Sequence, residues 1–132
     1  MKISEETIHA LQKVITGDPL SRDSDSIAPY RSGPDLVSFF NQFGEEDEYR
    51  HGFPSRWIYA ENKICKYNNI EELKQIIETS VDPRHYFHSD FSVENAVEYL
   101  NKYLEYDGYH LSKIGKSFQL LEYSDTGIEV GS

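Results

Sequence analysis

Residues 92–123, SVENAVEYLNKYLEYDGYHLSKIGKSFQLLEY, decide the fold. Val93, Ala96, Val97, Leu100, Tyr103 and Leu104 keep the i, i+3, i+4, i+7 spacing of a helix with one apolar face. Ser92 stands where an N-cap belongs, so the spacing predicts a helix over about 92–105. The period then changes. Asp107-Gly108 is a turn signal, after which Tyr109 and Leu111 alternate with His110 and Ser112. Across Gly115-Lys116, Phe118 and Leu120 alternate in the same way with Ser117 and Gln119. The segment reads as a β-hairpin over 109–123, with Thr126-Gly127 turning into a short third strand at 128–130. Helix followed by hairpin is the outline of a winged-helix unit.

Upstream, the pattern is helical. Ser4, Glu5 and Glu6 open a helix over 4–15 whose stripe is Ile8, Leu11, Val14 and Ile15, and Gly17 and Pro19 stop it. Residues 18–28, DPLSRDSDSIA, read as a surface loop. A second helix is expected over 33–43, capped by Ser32, with Pro34 in its first turn and Gly44 as its stop. Leu36, Val37, Phe39, Phe40 and Phe43 make it apolar around most of its girth, which predicts a central position. Ser55 caps a third helix running to residue 67, with Trp57, Ile58, Ile64 and Cys65 expected inward. Asn69 caps a fourth over 70–80, carrying Ile70, Leu73, Ile76 and Ile77, and Asp82-Pro83 breaks it. The expectation is therefore α+β: about five helices over roughly 1–105 and a hairpin over about 109–130, in one domain of 132 residues.

A chain of this length buries roughly two-thirds of its unfolded surface and folds without disulfides or metal. Its net charge is −10, from 23 acidic and 13 basic residues. Affinity for nucleic acid comes largely from Lys and Arg against phosphate, so this balance disfavours DNA as a partner. The helix over 92–105 adds Glu94, Glu98 and Glu105 against Lys102, and the hairpin adds only Lys113 and Lys116. The opening MKISEETIHALQKVI lacks the apolar core of a signal peptide, and no run approaches the roughly 18 apolar residues of a membrane span. A cytoplasmic protein is expected, with no membrane partner.

Four segments carry a likeness: PYRSGPDLVSFFNQFG at 29–44, GFPSRW at 52–57, DPRHYF at 82–87 and AVEYLNKYLEYDGYHLSKIGKSFQL at 96–120. Their order and spacing resemble the N-terminal domain of bacterial abortive-infection (AbiJ-type) proteins, over residues 3–121. The resemblance implies an anti-phage setting. It also implies a separate C-terminal effector domain, commonly of the HEPN kind, as fused or separate partner.

No elbow motif, phosphate-binding Gly-Lys loop or dinucleotide fingerprint is present, so no catalytic residue and no cofactor is assigned. Arg31 and Arg56 each sit beside a helix start, where a cation opposes the helix dipole. With Ser32 and Ser55 they are the candidate ligand-binding residues, forming a pocket for a small anion. The competing reading pairs both arginines with carboxylates such as Asp35, Glu45, Glu46 or Asp47. Arg84, His85 and His88 are the alternative RNA site, with the histidines as acid and base. His85, His88, Asp90 and Asp82 are acceptable ligand types at poor spacing, and no metal is assigned. Tyr99, Tyr103, Tyr106 and Tyr109 suit a protein interface. The leading expectation is a non-catalytic sensor, regulatory or protein-interaction module. The alternatives are a nucleic-acid-binding or RNA-cleaving module and a structural domain that makes homo-oligomers.

Overall fold

A computed structural model of the chain describes residues 1–19 and 25–123, and the backbone of 129–130. Residues 20–24 of the expected loop 18–28, the turn at 126–127 and residue 128 of the expected third strand lie outside the described residues. The elements run α1 Glu5–Thr16, α2 Gly33–Asn41, α3 Arg56–Tyr67, α4 Leu73–Ser80, α5 Pro83–Tyr86, α6 Val93–Leu104, β1 Tyr109–Ile114, β2 Ser117–Tyr123 and β3 Glu129–Val130. The fold is α+β and mainly helical, with α5 a single turn and a 3-10 turn joining α6 to β1.

The central helix is α1 and not, as its composition suggested, α2. Nine of the twelve α1 residues are buried, including Thr7, Gln12, Lys13 and Thr16 beside the apolar stripe. It packs against α3, α4 and α6. Polar residues hid this from periodicity, because Thr16 folds its hydroxyl back onto the Gln12 carbonyl at 2.7 Å and Gln12 reaches the Trp57 carbonyl at 3.1 Å. In α2, Leu36, Val37, Phe39 and Phe40 are buried, with Phe39 edge-on to Phe40 and Phe43. Gly17 closes α1 at φ 78, where a Cβ would meet the Pro29 carbonyl oxygen at 2.5 Å. Only glycine lets the strand-like run before α2 press this closely on the end of α1.

The termini of the helices differ from expectation in two places. Ser4 occupies the N-cap position of α1, but its hydroxyl meets Asp107 and Thr7, and Asp107 also accepts from the Ser4 N–H. Asn69 does not cap α4: it adopts φ 68 in a turn, and the helix starts at Leu73, leaving Ile70 exposed. In α3, Ile64 is buried as expected, whereas Ile58 and Cys65 face solvent and Trp57 is half-buried. The inward face of α3 is carried by Tyr59, Ala60, Ile64 and Tyr67 instead.

β1 and β2 form the expected antiparallel hairpin, with Leu111 opposite Leu120, and β3 adds to β2 through Glu122 and Tyr123. Both edges of the hairpin are held by helix side chains. Asn101 of α6 takes the Leu111 N–H at 2.8 Å and gives its amide to the Leu111 carbonyl at 3.0 Å. On the far side Glu78 of α4 accepts the Leu120 N–H at 2.8 Å. These side chains stand in for a neighbouring strand, which fixes the hairpin to the helices on either side.

Candidate functional site

The short α5 is the pivot of the surface. Asp82 caps it by accepting the Arg84 N–H at 3.0 Å, and Pro83 supplies a preset first turn. Tyr86 is buried and donates its hydroxyl to the Ser80 carbonyl at 3.1 Å, which pins the turn to the end of α4. His85 then lines a cleft facing α2, and Arg84 and Phe87 line another facing the hairpin.

The first cleft, of about 460 Å³, has Arg31, Asp35, Ser38, Phe39 and Gln42 on one wall and Thr79, Asp82 and His85 on the other. Arg31 is 6% exposed. Its guanidinium lies 4.5 Å from the Phe39 ring centroid and donates from Nη1 to the Ile15 carbonyl at 2.9 Å. Among the described residues it forms no ion pair. Burial pulls its pKa down to about 10, opposed by Tyr86 and Asp35, so it is charged at neutral pH. Burial, and then the charge of Arg31, hold His85 below the usual imidazole range, so it is neutral there. Its Nε2 atom is buried without a hydrogen-bond partner.

Arg56, the other arginine of the expected pocket, is fully engaged. Its Nε donates to the Arg31 carbonyl at 2.8 Å, Nη2 to the Thr16 carbonyl at 2.7 Å, and Nη1 to both oxygens of Asp18 at 3.0 Å. The guanidinium also stacks 3.9 Å from the Tyr30 centroid. The structure therefore does bring the two helix starts together, but it joins them through a clamp neutralised by Asp18, a carboxylate outside the expected set. Ser32 and Ser55 act as caps, accepting from the Asp35 and Ile58 N–H groups at 3.2 Å each. Of the four residues, Arg31 alone has a charge without an ion pair among the described residues, with Asp35 acting on it across the cleft.

The acidic run expected to answer the arginines instead binds α3. Glu45 accepts from Lys63, Lys66 and Tyr67, and Asp47 from Lys63 and Tyr59. The Lys63 and Lys66 ammonium groups hold Glu45 at about 2. No family model, curated protein or solved structure matches this chain.

The second cleft, of about 670 Å³, is floored by Phe118 and edged by Lys74, Arg84 and Lys116. It continues past Phe87 into a hollow of about 500 Å³ with Phe91, Val93 and Lys113. Phe87 stands between the two at 68% exposed. Arg84 is paired with Asp82 at 2.6 Å, while Lys74, Lys113 and Lys116 have no carboxylate partner among the described residues.

The alternative RNA site is divided by α5: Arg84 belongs to the hairpin side, His85 to the α2 side, and His88 is exposed and lines neither cleft. Among the described residues no three His, Cys, Asp or Glu side chains are grouped to hold a metal, and no helix is long and apolar enough to cross a membrane. Of the tyrosines, Tyr106 is 93% exposed, whereas Tyr99 and Tyr103 pack on each other at 5.3 Å and are partly buried. Phe87 was missed by periodicity because it lies outside a long element. The available signal was an aromatic residue in the polar run RHYFHSD directly after a helix stop.

Proposed function

We propose that this chain is a non-catalytic regulatory module that docks an acidic segment of a partner protein, in the setting of a bacterial abortive-infection system. The exposed Phe87, with Lys74, Lys113 and Lys116 around it, carries the reading. In a chain with 23 acidic and 13 basic residues, three lysines without an ion pair among the described residues gather around two adjoining clefts, which Glu78, Asp82 and Glu94 also line. An apolar anchor in a pocket supplies affinity, and the surrounding charges select for a partner bearing the opposite sign. A short acidic peptide with an aromatic or aliphatic anchor satisfies both. Glu94 also lines the hollow beside Phe87, so a short peptide with its acidic residues toward Lys74 and Lys116 fits, whereas a long polyanion would run over Glu94 and on to the exposed Glu98 of α6. The defence setting is supported by the four segments that resemble the N-terminal domain of AbiJ-type proteins, and the effector domain implied by that resemblance is the expected partner.

A random dodecapeptide display library selected on the purified domain tests the docking reading. The expected winners are rich in Asp and Glu around one aromatic residue, and they are lost on Phe87→Ala and on Lys116→Glu. No enrichment, or enrichment indifferent to both variants, would sink it. Binding of polyuridylate that disappears in the same variants would transfer the cleft to single-stranded RNA.

A further inference from the structure

We infer that a second copy of this chain docks where the end of α6 meets the start of α1, with Tyr106 of each copy seated in a recess of the other. The interface is a two-fold pair. None of its residues lines the clefts around Phe87, so the inference does not depend on the docking reading.

Three observations lead to it. The first is a projecting ring on a rigid base. Tyr106 is 93% exposed, and the 3-10 turn that carries it is tied on both sides. Glu105 before it lies 2.9 Å from Nδ1 of His110. Asp107 after it accepts the Ser4 N–H at 3.0 Å, the Ser4 hydroxyl at 3.2 Å and the Thr7 hydroxyl at 2.6 Å. An aromatic side chain on a fixed backbone loses little freedom on docking, which is why tyrosine anchors so many interfaces.

The second is a recess beside the projection. Ser4, Glu6, Thr7, Lys102, Tyr103 and Asp107 line a hollow of about 430 Å³, and Tyr106 completes the lining. A projection and a hollow on one surface are what a two-fold interface needs, since each copy then offers both halves. Tyr106 belongs to both halves, so the two rings meet near the two-fold axis, where an offset contact suits an aromatic pair. All three bonds to Asp107 end on Oδ2. Its Oδ1 is the acceptor left, among the described residues, for the hydroxyl of the partner's Tyr106.

The third is charge. Glu6 and Lys102 are exposed and line the same hollow, yet neither forms an ion pair among the described residues. Glu98 and Glu105 border the other side of Lys102, and Glu105 is held by His110. A partner of one charge sign answers only one of the pair. A second copy answers both, Lys102 of each facing Glu6 of the other across the axis. The net charge of −10 on each copy opposes association at long range, but salt screens it beyond roughly 8 Å.

The test is sedimentation velocity of the purified chain in about 0.15 M salt, from about 10 µM to about 1 mM. A monomer–dimer equilibrium is expected, and Tyr106→Ala should weaken it at least about tenfold. Lys102→Glu and Glu6→Lys should each sediment as monomers, because each sets like charges against one another twice. An equimolar mixture of these two variants should dimerise again, since both pairs in the mixed dimer are opposite in sign. All three side chains are exposed, so the variants keep the fold. A monomer at every concentration would overturn the proposal, as would a dimer indifferent to Tyr106→Ala or a mixture that stays monomeric. Species larger than a dimer would overturn the two-fold geometry.

Discussion

Arg56 and Arg31 occupy the starts of α3 and α2, and the first donates directly to the carbonyl of the second. Their surroundings are opposite. Arg56 has four hydrogen bonds, a carboxylate and a tyrosine face; Arg31 has one carbonyl and a phenylalanine face. The Arg56 region is an element of architecture, joining the end of α1, the run before α2 and the start of α3. The Arg31 region is a buried charge with no ion pair among the described residues, beside a cleft that also holds Asp35. The contrast shows that an arginine's residue type and position along a helix do not reveal its role. The number of its donors answered by the protein does.

The sharpest way to break this comparison is Arg56→Ala. It orphans Asp18 and the Arg31 carbonyl in a partly buried site and leaves the Thr16 carbonyl with the Arg31 N–H alone, and a loss of about 3 kcal/mol is expected in urea unfolding. An unchanged midpoint would show that the clamp is ornamental. Asn101→Ala is the parallel test at the hairpin, where two buried backbone groups of Leu111 lose their partner. About 2 kcal/mol is expected, together with faster amide exchange at Leu111.

Glu45 extends the comparison to pH. Its pKa falls from 4.5 to about 2 on folding, so it contributes stability that is complete above about 4.5 and lost as the pH falls toward 2. Glu45→Gln should cost about 2 kcal/mol at pH 7, and the gap to the parent protein should close in acid unfolding between those values. A gap independent of pH would remove the Lys63 and Lys66 pairing as the cause.

At the other end of the scale, Arg31→Met replaces a buried charge that forms no ion pair among the described residues by an apolar chain of similar length. A change of stability within about 1 kcal/mol is expected, against the larger loss at Arg56. Phe87→Ala should leave the unfolding midpoint where it is, since the ring is 68% exposed, and act only on docking. A large loss of stability from either variant would move that residue to the structural side of the comparison.

The sequence by itself determined the α+β class, the order of the long helices, the caps at Ser32, Ser55 and Ser92, and the hairpin with its alternation of Leu111 and Leu120 against polar neighbours. These follow from local causes: side-chain period, capping hydroxyls and turn residues act within a few positions of one another. It also placed Arg31 and Arg56 together correctly, as neighbours at two helix starts. Only the tertiary structure decided that α1 is central, because its buried Thr7, Gln12 and Thr16 find their partners through the fold and carry no apolar signal. It alone turned Cys65 and Ile58 outward, divided Arg84 from His85 across α5, and set Lys74 of α4 and Lys113 and Lys116 of the hairpin around Phe87. Most of all, it chose which of two similar arginines would meet a carboxylate. Asp18 reaches Arg56 across 38 positions of sequence, and a pairing over that separation is a property of packing that no local pattern records.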